Sequence, residues 1–547
     1  MKYWLELSLI SAALFVATPC RGQAPLPATT AIDEYVHKAD PAFEWKVVNE
    51  SKVGNTTTLT VEMVSQNWLS PEQVNRTTWK HWVNIAIPDK VVSPVGFLMI
   101  TGGSNGGEAP NGAPEEIIQI AQATGTVAAE LKMVPNQALE FHGDGVPRKE
   151  DDLIGYTWDQ YIKTGDPNWL ARNAMIKSAV KAMDTMTAVC AKRDLQVEEF
   201  VVAGASKRGW TTWLTGAVDD RVVGIIPIVI DVLNVNESMR HHFAAYGYWA
   251  PAVGNYVDHK IMERLNHPRL DEIYQLVDPY FYRHRLQKPK LVLNAAGDQF
   301  FLPDSWQFYW NDLSGEKYIR YVPNTDHSMR GSDAITSIIA FHGLLAQRKK
   351  RPDFSWSISK SGEITVTAKD KPAAVILWQA NNKEARDFRL ETLGPKYVSK
   401  PLTADDDGKY RASVAIPDTG WTAYFIELTF DVGQAVPLKL STGVKVLPET
   451  LPYPDRNPSQ EASVTLRCIA ASEEAATATM NEASQLFPAV MKIDSLETAQ
   501  DGSVFYLNWA PQDFREEAGK VTGWLESKNI KQVNYQLESG KVITKTQ

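Results

Sequence analysis

The chain has 547 residues, 44% of them apolar and 22% charged, enough to bury a substantial core and too many for one ordinary domain. Its formal net charge of −9 argues against the basic surface that a nucleic acid or an anionic membrane would require. Three cysteines without metal-ligand spacing argue against a zinc site or a disulfide scaffold.

Residues 1–22 read as a secretory signal. Lys2 supplies a positive start, and Leu7–Ala17 is an apolar run of the right length, too short to span a bilayer. Glu6 sits beside that run, and Gly22 and Ala24 are the candidate cleavage positions. Cys20 follows Pro19, a poor fit to a lipoprotein signal, so the expectation is export to the periplasm or extracellular space without a lipid anchor. No other segment reads as a transmembrane helix. Cys190 and Cys468 remain after cleavage, far apart in sequence, and are expected as two buried free thiols.

Residues 23–350 predict an α/β-hydrolase-like domain. Thr58–Val64 and Trp82–Ile87 alternate as antiparallel strands do. Val95–Ile100 is continuously apolar, as a buried parallel strand is, and ends in the glycine-rich loop Thr101–Gly107. Helix is expected over 114–123 and strand over Thr126–Leu131. In 168–190, Leu170, Ala174, Ile176, Val180, Met183 and Met186 recur at roughly helical spacing. Val197–Ala203, Val222–Ile230, Lys290–Ala295 and Tyr318–Val322 read as further strands, and Ile335–Gln347 as the closing helix. This alternation predicts a mostly parallel sheet with helices on both faces. The stretch 236–286, rich in histidine and aromatic residues such as His241, Tyr248, Trp249 and Tyr256, interrupts it and is expected to form a helical cap.

Composition changes near residue 350. Short alternating segments over 351–450 predict a β-sandwich of fibronectin or immunoglobulin type without a disulfide. Prolines at 448, 452, 454 and 458 mark a linker. Residues 460–547 predict a small α+β domain with helices near Ser472–Leu486 and Pro511–Lys528.

The chemistry concentrates at Gly204-Ala205-Ser206-Lys207-Arg208-Gly209, between a strand and a helix. A serine among glycines in that setting is a nucleophile elbow, which lifts the hydroxyl over the sheet edge. Near neutral pH the hydroxyl needs a general base, and the base needs an orienting acid. Asp298 and His327 follow in that order, 92 and 29 positions on, each after a predicted strand. Asp304 is the rival acid, although its place before Ser305 also suits a helix N-cap. Arg208 occupies the position where a Gly-x-Ser-x-Gly elbow has its second glycine, and Gly209 comes one later. Lys207 and Arg208 either bring positive charge to an oxyanion or substrate carboxylate, or are solvated charges at a helix start. The oxyanion donors expected are the N–H of Lys207 and those of the Gly102, Gly103 and Ser104 loop. That loop lacks the Gly-Lys-Ser/Thr ending of a phosphate-binding loop. No metal or organic cofactor is called for.

Four segments then acquire a joint meaning: Tyr156–Tyr161 (YTWDQY), Trp169–Arg172 (WLAR), Gly204–Trp210 (GASKRGW) and Gly297–Ser305 (GDQFFLPDS). Together they resemble the PhoPQ-activated pathogenicity-related proteins, over about residues 30 to 450. The resemblance implies an exported α/β-hydrolase-like protein with a C-terminal β-domain, and implies no particular substrate. The expected function is a secreted serine hydrolase acting on a small-molecule ester or a peptide. The alternative is a binding or signalling protein on the same scaffold, tied to virulence or the envelope.

Overall fold

Unbroken apolar runs become the middle of a large sheet. The computed structural model describes residues 29–454, 464–487, 490–499, 502–509 and 520–537. The signal segment and the first half of the helix expected over Pro511–Lys528 lie outside the described residues. The first nine strands are β1 (Glu44–Val53), β2 (Thr56–Asn67), β3 (Thr78–Pro88), β4 (Val95–Ile100), β5 (Ala128–Leu131), β6 (Glu199–Ala205), β7 (Val222–Ile228), β8 (Lys290–Ala295) and β9 (Lys317–Val322). They lie in the order β1-β2-β3-β5-β4-β6-β7-β8-β9. From β5 to β9 neighbours are parallel, while β1, β2 and β3 add an antiparallel edge.

Both faces of the parallel part are covered. Leu98, Ile100, Phe200 and Val202 enter one buried cluster, and Phe97, Val201 and Ala203 enter another. Successive side chains of a strand point to opposite faces, so both faces demand apolar residues, and the strands show no polar alternation. The helices of this domain are α1 (Ala31–His37), α2 (Glu115–Thr124), α3 (Glu150–Thr164), α4 (Ala171–Ala191), α5 (Lys207–Val218), α6 (Val235–Tyr246), α7 (Gly254–Asp258), α8 (Pro268–Val277) and α9 (Ala334–Ala346). α4 and α5 pack together over one face, α2 and α9 over the other. The chain leaves β4 toward β5 on one side and returns to β6 on the other. The loops after β4 and β6 therefore flank a crevice where strand order reverses, the usual place for a ligand in such sheets.

The segments expected as a sandwich over 351–450 do form strands, but these divide between two sheets. β12 (Ala374–Asn382), β13 (Val398–Pro401), β15 (Trp421–Phe430) and β16 (Leu438–Ser441) continue the central sheet in the order β9-β16-β15-β12-β13, and Ser441 lies opposite Ile319. β17 (Lys445–Leu447) pairs with β15. β10 (Phe354–Ile358), β11 (Ile364–Ala368) and β14 (Tyr410–Ala412) form a separate three-stranded sheet. The physical reason is the open edge of β9, whose unpaired backbone groups β16 takes up. Strands Val464–Ala470, Val490–Ala499, Gly502–Trp509 and Lys531–Leu537 make an antiparallel four-stranded sheet, with helix Glu473–Leu486 between the first two. Cys190 and Cys468 are free and buried.

Candidate active site

The turn from β6 to α5 is strained at one residue. Ser206 has φ 58° and ψ −129°, a region non-glycine residues seldom occupy. It is held there by its N–H donating to the Ile228 carbonyl at 2.8 Å and its carbonyl accepting from the Trp210 N–H at 3.0 Å. The flanking glycines explain the displaced motif. A Cβ on Gly204 would lie 2.7 Å from the Arg208 carbonyl oxygen, and one on Gly209 would lie 2.9 Å from those of Gly204 and Ile228. Residue 209, not 208, is thus where the helix meets the strand, and an arginine is tolerated at 208. Gly209→Ala is expected to destabilise the fold by about 2 kcal/mol, because backbone atoms rather than a flexible side chain must yield. Thermal melts check this.

Asp298 and His327 come together. Both follow neighbouring parallel strands, β8 and β9, and so emerge at the same sheet edge as Ser206. Asp298 is buried, and its Oδ2 lies 2.8 Å from His327 Nδ1 while Oδ1 accepts the Phe300 N–H at 2.7 Å. Gln299 fixes the base from the other side, its Oε1 accepting the His327 N–H at 2.9 Å. With Nδ1–H donating to the carboxylate, Nε2 is the acceptor. That nitrogen is buried and has no hydrogen-bond partner among the described residues, so Ser206 is not bonded to it in this structure. The two are linked through Phe300, whose ring centroid is 4.3 Å from that of His327 and whose side chain lines the cavity holding Ser206.

Asp304 stands elsewhere. Its Oδ1 lies 3.1 Å from His241 Nε2 and its Oδ2 accepts from Arg386 Nη2 at 2.5 Å. Burial alone would raise its pKa, but Arg386 and His241 outweigh burial and hold the carboxyl well below the usual range. The N-cap expected of it does not form: its side chain makes no cap bond to the short helix Ser305–Phe308, because both oxygens are engaged by the His241 ring and the Arg386 guanidinium. Behind the acid lies a carboxyl the sequence did not single out. Burial pushes Asp231 up to about 7 against the lowering effect of the Tyr309 and Tyr321 hydroxyls bonded to it.

The charges beside the serine are paired rather than solvated, and Lys207 also lines the cavity into which Ser206 opens. Lys207 Nζ lies 2.8 Å from Glu150 Oε2 and 3.1 Å from Asp151 Oδ2. Arg208 donates to Glu150 Oε1 and to the Val134 carbonyl, each at 2.5 Å. Burial of Lys207 requires this pairing. Glu150 and Asp151 were invisible as partners because they lie near the start of α3, more than fifty positions away. Burial would raise the Glu150 pKa, but Arg208 and Lys207 lower it from 4.5 to about 2. A depressed folded pKa contributes stability above pH 4.5 that is lost as pH falls toward 2. Stability measured against pH should therefore fall less steeply across that window in Glu150→Gln than in the unmodified chain.

The oxyanion candidates sit across the crevice. Lys207 opens α5, so its N–H is one of the four that helical bonding leaves free. The Gly102–Ser104 loop is tied to the end of β5, the Met133 N–H donating to the Gly102 carbonyl at 2.9 Å. Gly103 has φ 139°, and a Cβ there would stand 3.2 Å from Met133 Cγ. Gly103 and Ser104 are exposed, and no backbone carbonyl among the described residues takes their N–H groups.

Ser206 opens into a cavity of about 60 Å³. Trp158 and Trp210 wall one side, and the segment expected as a cap supplies Met239, Tyr256, Met262 and Tyr274. That segment is helical, built on α6, α7 and α8. Among the described residues no cluster of three or more His, Cys, Asp or Glu side chains could hold a metal, and no helix is long and apolar enough to cross a membrane.

Autocrine proliferation repressor protein A of Dictyostelium discoideum is 37% identical over 454 residues, spanning 78% of this chain and 92% of that protein. Acetyl xylan esterase 1 of Thermoanaerobacterium sp. superposes with a TM-score of 0.39 at 16% identity, over 59% of this chain and 94% of that one. The acylaminoacyl peptidase of Pyrococcus horikoshii gives a TM-score of 0.35 at 16% identity, over 57% of this chain and 43% of that one. No residue's role is taken from overlaps so partial. The family model described as PhoPQ-activated pathogenicity-related protein matches residues 32–389, which takes in the elbow, Asp298 and His327. The chain belongs to the PhoPQ-activated pathogenicity-related protein family.

Proposed function

We propose that this protein is an exported serine hydrolase that cleaves an ester or an amide. The observation that carries the reading is the Asp298–His327 pair, with the second imidazole nitrogen buried and unclaimed and the ring packed on Phe300, which lines the cavity of Ser206. Ser206 Oγ attacks the substrate carbonyl carbon while its proton passes to His327 Nε2, and Asp298 holds the imidazolium in register. The N–H groups of Lys207 and of the Gly103–Ser104 loop receive the oxyanion. His327 then gives the proton to the departing alcohol or amine. A water, deprotonated by the same nitrogen, releases the acid and restores the serine. Approach of Ser206 and His327 Nε2 on substrate binding is part of the proposal, since such bonds are often loose without substrate. The helical segment 236–286 acts as the cap, and the strands after 350 as an accessory domain.

A second reading is a binding or signalling protein on this scaffold. It is favoured by the open Ser206–His327 contact and by the name of the Dictyostelium relative, a proliferation repressor. A fluorophosphonate probe separates the two. Covalent labelling of the native chain that vanishes in Ser206→Ala supports the hydrolase. No labelling, with binding but no turnover across a panel of esters and aminoacyl amides, overturns it.

A further inference from the structure

Five arginines are buried among the described residues, and four of them hold a carboxylate. Arg148 pairs with Asp144, Arg320 with Asp333, Arg386 with Asp304 and Arg389 with Asp387. Arg172, the fifth, has no carboxylate within ion-pair distance among the described residues. It is 2% exposed; Nη1 donates one long bond to the Lys207 carbonyl at 3.4 Å, and the Tyr256 hydroxyl is a further hydrogen-bonding neighbour. Its guanidinium lies 3.8 Å from the Trp210 ring centroid and 6.0 Å from that of Trp158. Nε has no partner among the described residues.

The carboxylates in reach are committed elsewhere. Asp151 accepts from the Tyr256 hydroxyl at 3.0 Å and pairs with Lys207. Asp278 accepts the N–H groups of Val235 and Tyr280, each at 2.9 Å. Asp151 and Asp278 act on Arg172 only from beyond ion-pair distance, and a buried guanidinium with no carboxylate in direct contact is costly, a cost that stacking on indole rings offsets only in part. A ligand carboxylate would supply the rest, in the bidentate geometry that arginine favours.

Location decides what such a ligand is. Arg172 stands near the start of α4 and lines the same cavity as Ser206. Most of the remaining wall is apolar, including Trp158, Trp210 and Met239. At about 60 Å³ the cavity holds roughly four water-sized groups at ~15 Å³ each, which fits a short hydrocarbon chain ending in one anion.

We infer that Arg172 binds a carboxylate of the substrate, so that the preferred substrate is a half-ester or half-amide of a short dicarboxylic acid. The free carboxylate sits a few carbons from the carbonyl that Ser206 attacks. This rests on the hydrolase reading of Ser206 given above. Arg172 is a specificity residue here: it selects the anion and takes no part in bond breaking.

Monomethyl glutarate and methyl pentanoate share a five-carbon acyl chain and differ in a terminal carboxylate against a methyl group. With the full chain, kcat/KM is expected to favour the glutarate half-ester by roughly tenfold or more, and Arg172→Met to erase most of that ratio. Arg172→Lys, which keeps the charge and loses the fork, should fall between. A ratio at or below one in the native chain overturns the inference even if Arg172→Met fails to fold, and so does a ratio that Arg172→Met leaves unchanged. Calorimetric titration of Ser206→Ala with glutarate, with and without Arg172→Met, needs no turnover. Arg172-dependent binding by a chain that cleaves neither ester keeps the carboxylate site and sinks the hydrolase reading. Cleavage of both esters without preference does the reverse. Absence of both binding and preference overturns the carboxylate site.

Discussion

Replacing Ser206 with alanine is expected to lower kcat by about 10⁶-fold on any ester the chain hydrolyses, leaving only the residue of rate that the oxyanion donors and substrate binding supply. The expectation follows from the elbow. Only this side chain stands at the turn where β6 delivers the chain to the N–H groups of α5, above a cavity shared with the cap. Ser206→Gly should be equally inactive and yet more stable than Ser206→Ala. With φ at 58° and ψ at −129°, a side chain at 206 sits in backbone strain worth about 1–3 kcal/mol, which glycine relieves. Glycine also loosens the unfolded chain, at a cost of about 0.4–1 kcal/mol. The difference leaves Ser206→Gly about 1 kcal/mol ahead in unfolding free energy by urea denaturation. Retained turnover in either variant would remove Ser206 from the chemistry. Ser206→Gly melting below Ser206→Ala would show that the strain is not carried at this residue.

What the sequence disclosed, and what it hid, divides along physical lines. Strands buried on both faces must be apolar throughout, so β4 and β8 are legible to their observed ends and β6 and β7 nearly so. The order serine, acid, base is legible because each lies just past such a strand. α3 is not, because Leu153–Asp159 is buried on every side, Thr157 and Asp159 included, and no amphipathic stripe marks it. Partnerships formed across the fold are also hidden. Asp304 meets His241 and Arg386, 63 and 82 positions away, and spacing around residue 304 says nothing of either. Arg172 reads as a helix-start residue, and its lack of a directly bonded carboxylate appears only once the carboxylates around it are seen to be taken. The joining of β16 to β9 rests on an open edge, a property of the assembled sheet rather than of either segment.

The two aspartates that compete for the acid's place should separate cleanly when each becomes asparagine. Asp298→Asn is expected to cost about 10⁴-fold in kcat while the fold persists. The amide can still accept the Phe300 N–H, but the group facing His327 Nδ1 no longer carries the charge that stabilises an imidazolium, and its N–H favours the wrong tautomer. Asp304→Asn is expected to leave kcat within about threefold and to destabilise the chain by about 3 kcal/mol, because Arg386 loses its buried counter-charge. The pH dependence has a definite sign. Asp304 is held below its ordinary 3.8 in the folded chain, so its contribution is complete above pH 3.8 and is lost as pH falls toward the folded value. Asp304→Asn should therefore lack that part of the acid-induced loss and lie nearest the native chain at low pH, while Asp298→Asn differs from it mainly in rate. Single-turnover kinetics and denaturation at pH 7 and pH 3 on both variants provide the check. A collapse of kcat in Asp304→Asn, with the rate of Asp298→Asn intact, would move the acid to residue 304 and require the loop 298–305 to rearrange before His327 could act as a base.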